Sequence, residues 1–268
     1  MTGSFGRAVW VIAYRELLRY LQERSRLVSS FAMPLIFLVV FGLGLGGTVG
    51  AVAQGVDFAQ FVYPGIIAMS VVTTALFSGL SVVWDREFGF LKEVLVAPLS
   101  RGGVVLGKAT GGAVVALLQG MLMLVLAPAL GVDVSVALVL SLVPLLMVLA
   151  LALAALGLLV ASRMRSQQGF QVLTQVIVFP LIFMAGVFFP VQNAPEWMQV
   201  VSKLDPLTYG VDAIRQAFLS AGPGTPPDQD LGLVVFGHAM TAWQDALVVA
   251  GLGTALMLAA MWAFSRQG

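Results

Sequence analysis

Six stretches of this chain contain no aspartate, glutamate, lysine or arginine: 27–56, 58–84, 109–132, 134–162, 166–195 and 246–265. A helix needs about 20 apolar residues to cross a hydrocarbon core ~30 Å thick. A charge at the centre of such a helix costs about 2.5–3.5 kcal/mol on insertion scales. Six such exclusions predict an all-α integral membrane protein with transmembrane helices at 28–48, 60–83, 105–130, 137–161, 171–189 and 244–264. Composition agrees, with 10% charged residues where soluble domains carry roughly 25%. The formal net charge of +1 leaves no basic footprint for a nucleic-acid partner. The absence of cysteine removes disulfides and thiolate metal sites.

Six spans place both termini on one side, and the basic residues choose it. Twelve of the fourteen lysines and arginines fall on the side of the termini, Arg7, Arg15, Arg19, Arg24 and Arg26 among them; only Lys203 and Arg215 lie opposite. The positive-inside rule makes that side cytoplasmic.

Three segments are neither span nor simple linker. In the N-terminal helix expected over 5–26, Trp10, Tyr14, Leu17 and Leu21 share one face and Arg15, Arg19 and Arg26 another. That pattern predicts a helix lying in the membrane interface, a role compatible with a plain topogenic anchor. The inner loop 84–101 contains Trp84–Leu95, with Phe88, Leu91 and Leu95 on one face, and Pro98 stops it. Such a helix either docks into a groove of another protein or lies on lipid. The outer segment 190–243 holds two helix candidates too short to span. Asn193 and Glu196 have capping-box spacing for the first, and Asp205 precedes Pro206 at the start of the second. Together they predict a re-entrant or interfacial cap.

Sites for chemistry are few. Gly102, Gly107 and Lys108 fit the start of a phosphate-binding loop, but Ala109 stands where a magnesium-binding hydroxyl is needed. Gly103, Gly107 and Gly111 read better as a small-residue face for helix packing. No catalytic constellation and no metal-ligand cluster emerges around the single histidine, His238. The uncharged runs carry no ionisable relay of the kind that ion-coupled carriers use, so energy for transport is expected from outside the chain. Polar stripes remain: Ser70, Thr74 and Ser78 in the second span, and Gln171 and Gln175 beside Phe179 and Phe183 in the fifth. They either knit helices together or line a path for an amphipathic substrate.

Several tracts resemble the permeases of ABC type-2 transporters. These are Asp205-Pro206-Leu207-Thr208-Tyr209-Gly210-Val211-Asp212-Ala213-Ile214-Arg215, Ala185–Pro190, Tyr63-Pro64-Gly65, and Arg86–Leu95 followed by Pro98. The chain is most similar to the daunorubicin-resistance type of drug-export permease. The resemblance implies a single transmembrane domain over 1–268, in a bacterial or archaeal cytoplasmic membrane. It implies an exporter of a drug, antibiotic or lipid, and no enzyme in its own right. A polysaccharide or glycolipid exporter is the alternative, followed by a lipid-modifying membrane enzyme. The implied partners are two copies of a separate ATPase carrying ATP and magnesium, a second permease chain in a homodimer, and lipid. Position by position, coupling to the ATPase falls on Glu87, Phe88, Gly89, Leu91, Glu93 and Pro98, with Arg15, Arg19 and Arg26. The family's outer motif falls on Pro206, Leu207, Thr208, Tyr209, Asp212 and Arg215. Phe90 departs from the small polar residue usual in relatives.

Overall fold

A computed structural model describes residues 2–44, 51–53, 56–88, 101–130, 134–221, 233–235 and 238–266. The expected coupling residues Gly89, Leu91, Glu93 and Pro98 lie outside them, and the side chain of Arg26 is likewise not described. Helix α1 (Thr2–Gln22) breaks at Glu23, and α2 (Arg24–Phe37) runs on as a π-helical segment, Leu38–Gly44. A short antiparallel pair, β1 (Ala51–Ala53) and β2 (Val56–Asp57), precedes α3 (Phe58–Phe77). A turn at Ser78-Gly79 leads to α4 (Leu80–Glu87). Then come α5 (Arg101–Leu124), α6 (Val136–Arg163) and α7 (Gln167–Met184). The outer segment holds α8 (Glu196–Ser202), α9 (Pro206–Ala221) and a second short pair, β3 (Val234–Val235) with β4 (His238–Ala239). Helix α10 (Ala242–Ser265) ends the fold.

Among the described residues, five helices are long and apolar enough to cross a membrane: Phe61–Glu87, Gly102–Leu124, Val136–Arg163, Gln167–Met184 and Ala242–Ser265. The chain is an integral membrane protein. These five correspond to the second to sixth expected spans. Of the first expected span, 28–48, the described part is helical as far as Gly44 and includes a shorter apolar helical stretch, Phe31–Phe41.

Local chemistry explains the boundaries. Ser135 Oγ accepts from the Leu138 amide at 3.1 Å and starts α6; Ser166 Oγ accepts from Gly169 at 3.2 Å and starts α7. Thr241 and Gln244 form a capping box at the start of α10. The expected box at Asn193 and Glu196 does not form. Asn193 closes a 3₁₀ turn instead, and Pro195 precedes α8 without a side-chain cap. Asp205 behaves as expected, its Oδ1 accepting from the Leu207 amide at 2.8 Å.

The core is built on α3, which buries Phe61, Val62, Tyr63, Ile66, Ile67, Val71 and Val72 against α5, α6 and α9. Glycines let α4 approach α6. A Cβ at Gly79 would collide with the Gly157 carbonyl, and one at Gly157 with the Leu76 carbonyl. The α3–α4 turn therefore sits where the backbones meet.

Candidate functional site

Polar groups gather at the two ends of the bundle. At the end expected to face inward, called inner below as its opposite is called outer, α1 lies along α5, and the glycine face does the packing. A Cβ on Gly107 would fall 2.9 Å from Ile12 Cβ, and one on Gly111 2.9 Å from Glu16 Cβ. The face of α1 turned inward is thus Ala8, Ile12, Glu16 and Tyr20, and Tyr20 donates to Gln119 at 2.6 Å. The aromatic stripe picked out by periodicity points outward: Trp10 and Tyr14 stack with centroids 6.5 Å apart and stay exposed.

That packing gathers a knot of four charges, with Lys108, Asp85 and Glu16 largely buried and Arg15 half exposed at its edge. Lys108, 4% exposed, lies 2.7 Å from Asp85 Oδ2 and 3.4 Å from Glu16 Oε1, and donates to Ser81 Oγ at 3.0 Å. Arg15 adds contacts of 3.3 Å to Glu16 and 3.6 Å to Asp85. Arg19 pairs with Glu23 at 3.3 Å and places its guanidinium 4.4 Å from the centre of the Trp84 ring. Two cations face two carboxylates, as burial of charge requires. Asp85 and Lys108 stand at the two roots of the inner loop, and α1 bridges them. Of the expected coupling residues, Glu87 and Phe88 follow directly; both are exposed, Phe88 by 69%.

Sequence reasoning met Asp85 and Lys108 at the ends of uncharged runs, and Lys108 also in a phosphate-loop fit that it set aside. The helices extend beyond those runs and enclose both, and at the other end α10 encloses Asp245. The expectation that ionisable groups stay clear of the spans is corrected accordingly. The P-loop fit of Lys108 was the available signal, misleading in its chemistry: the residue is special because it is buried.

At the outer end the motif residues Pro206, Leu207, Thr208, Tyr209, Asp212 and Arg215 are all buried in α9. Arg215 donates to the carbonyls of Gly186 at 2.8 Å and Phe61 at 3.3 Å, and stacks 3.9 Å above the Phe61 ring. Burial lowers its pKa to about 10, opposed by Asp212, so it stays charged at neutral pH. Gln216 donates to Asp212 at 2.8 Å, to Asp245 at 3.2 Å and to the Met240 carbonyl at 3.0 Å. Asp212 also accepts from the Leu233 amide at 2.9 Å. Burial raises the Asp212 carboxyl, against the pull of those bonds and of Arg215. Burial also raises Asp205 to about 7, against the Leu207 bond. Tyr209 donates to the Lys203 carbonyl at 2.8 Å. This network ties α9 to α3, to α10 and to the β3–β4 segment.

The polar stripes separate. Ser70 donates to the Ile67 carbonyl at 2.7 Å and Ser78 to that of Ala75 at 2.6 Å, within their own helix. Ser70 and Thr74 are buried, and Ser78 packs where a Cβ on Gly112 would collide with it. Gln171, Gln175, Phe179 and Phe183 instead form an exposed face of α7, flanked by Val172 and Val176. At its outer end Phe183 meets Phe188, whose ring lies 5.3 Å from Phe37 and 4.6 Å from Phe41.

Comparison with known proteins completes the picture. A family model described as ABC-2 type transporter matches residues 7–219. Nodulation protein J of Rhizobium leguminosarum bv. trifolii is 31% identical over 80% of this chain and 82% of its own length. The transport permease ycf38 of Cyanophora paradoxa is 28% identical over 79% of this chain and 74% of its own. The multidrug ABC transporter permease YbhR of Escherichia coli (strain K12) is 32% identical over 61% of this chain and 45% of its own.

Proposed function

The chain belongs to the ABC-2 type transporter family, and on that premise we propose that it is the permease subunit of an ATP-driven exporter. Its cargo is a hydrophobic or amphipathic molecule, a drug, antibiotic or lipid. ATP and magnesium are held by two copies of a separate ATPase, and a second copy of this chain completes the pathway. The chain forms one transmembrane domain of six spans, the first over 28–48. Its termini are cytoplasmic, in a bacterial or archaeal cytoplasmic membrane, and α8 and α9 form a re-entrant outer cap.

The observation that carries this reading is the charge knot at the root of the inner loop. Asp85, Lys108, Glu16 and Arg15 join α1, α4 and α5 where the loop leaves and re-enters the bundle. A force applied to Glu87, Phe88 and the rest of the coupling set is delivered there to three helices at once. ATP can favour one permease state only through contacts that differ between states, and the loop is where the ATPase makes them. Cargo follows the exposed face of α7, Gln171, Gln175, Phe179 and Phe183, across which the second copy packs. The hydroxyls of Ser70, Thr74 and Ser78 hold α3 in place behind it.

The reading predicts that Glu87→Ala and Phe88→Ala each lower vanadate-sensitive ATP turnover of the assembled complex about tenfold, with expression and membrane insertion intact. Turnover and export of an amphipathic dye that both stay unchanged in these variants would remove the coupling assignment.

A further inference from the structure

The last turn of α4 is Trp84-Asp85-Arg86-Glu87, and its residues reach in two directions. Trp84 and Asp85 meet Arg19 of α1 and Lys108 of α5. Arg86 and Glu87 reach the opposite way, to the turn between α6 and α7. Arg86 Nη1 donates to the Met164 carbonyl at 2.6 Å and to that of Ser162 at 3.3 Å, and Nη2 donates to Ser162 at 3.4 Å. Met164 is the C-terminal cap of α6, where exposed carbonyls favour a cation. The amide of Gln167, the first residue of α7, donates to Glu87 Oε2 at 3.3 Å, where a helix N-terminus favours an anion. Two adjacent residues of opposite charge thus clasp two successive helix ends, each with the sign that end prefers.

Helix α7 is lightly held elsewhere. It buries only Phe170, Thr174, Val178 and Ile182, about one residue per turn. The clasp at its inner end therefore decides where its exposed face stands.

We propose that Arg86 is a positioning residue for transport: it locks the α6–α7 turn to the root of the inner loop, so that displacement of the loop carries α7 with it as one body. This rests on the reading of that loop as the ATPase contact, and adds the route by which its movement reaches the pathway helix.

The chain has no cysteine, so thiols introduced into it can be labelled on the isolated chain before it is recombined with its ATPase. Nitroxide labels at Val172→Cys on α7 and Leu140→Cys on α6, both exposed positions, report the movement of α7 in the complex purified with its ATPase. With Arg86 present, ATP plus vanadate shifts the distance between them. Arg86→Gln cuts that shift at least threefold while ATP hydrolysis stays within twofold; Arg86→Lys, which can still reach one carbonyl, keeps more of it than Arg86→Gln. A full shift in Arg86→Gln overturns the proposal. A second variant does not depend on how Arg86→Gln assembles. Arg86→Cys/Met164→Cys, bridged by a short thiol-to-thiol reagent, replaces the clasp covalently and continues to hydrolyse ATP. A bridge that stalls hydrolysis shows that the joint must open, and also overturns the proposal. Failure of the underlying reading looks different: no ATPase co-purifies, or the labelled chain with Arg86 intact shows no nucleotide-driven shift.

Discussion

The two ends of the bundle bury charge by different means. At the inner end Lys108 and Arg15 face Asp85 and Glu16, so each buried charge has an opposite charge beside it. At the outer end Arg215 turns to two backbone carbonyls and an aromatic ring, while Asp212 and Asp245 share the amide of Gln216. The first arrangement is balanced by ion pairing and is brittle to the loss of one partner. The second is balanced by hydrogen bonds, and burial there raises the carboxyls of Asp205 and Asp212, so it responds to pH.

The largest effect expected from breaking this contrast is at Lys108. Lys108→Met leaves the half-exposed Arg15 as the one cation beside Asp85 and Glu16 in this knot and should cost about 3–5 kcal/mol, read as a lower thermal midpoint in detergent. Adding Asp85→Leu should recover part of that loss; a single variant as stable as the parent would show that the knot carries no balance of charge.

The outer end should answer to pH instead. The folded pKa of Asp205 is raised from 3.8 to about 7, so the folded state holds a proton that the unfolded chain releases. Its contribution is complete below about pH 4 and is lost as pH rises towards 7. Asp205→Asn keeps an acceptor for the Leu207 amide and removes the charge. It should therefore gain stability over the parent at pH 8, by up to about 4 kcal/mol, and gain little at pH 4. An equal difference at both pH values would show that Asp205 does not titrate with folding.

A smaller effect sharpens the account of the inner end. Gly111→Val must displace Ala13 or Glu16 on α1 and should cost about 1–3 kcal/mol. The same change at Gly251, where nothing lies within 4 Å of an added Cβ, avoids that clash, and the midpoints of the two variants compare them directly.

What could be read from sequence follows from the range of the forces involved. Helix α6 was legible almost to the residue, because a run of 29 uncharged residues is a local signal. Asp205-Pro206 was legible for the same reason. The pairing of Glu16 with Lys108 joins positions 92 apart, and no periodicity encodes it. The conspicuous face of α1 misled because aromatic bulk draws attention, whereas a glycine-lined neighbour selects Ala8, Ile12 and Glu16 for close approach. The π-helical segment at 38–44 and the strands of two or three residues lie below the length at which patterning speaks.

The proposed function is ATP-driven export through a permease whose ATPase is a separate subunit. Gentle purification of this chain from its native membrane, followed by identification of stoichiometric partners and an ATP-hydrolysis assay, tests it most directly. The account predicts a co-purifying ATPase subunit with vanadate-sensitive turnover that the isolated permease lacks. A chain that purifies alone, with no ATPase bound and no ATP-dependent flux, would contradict it.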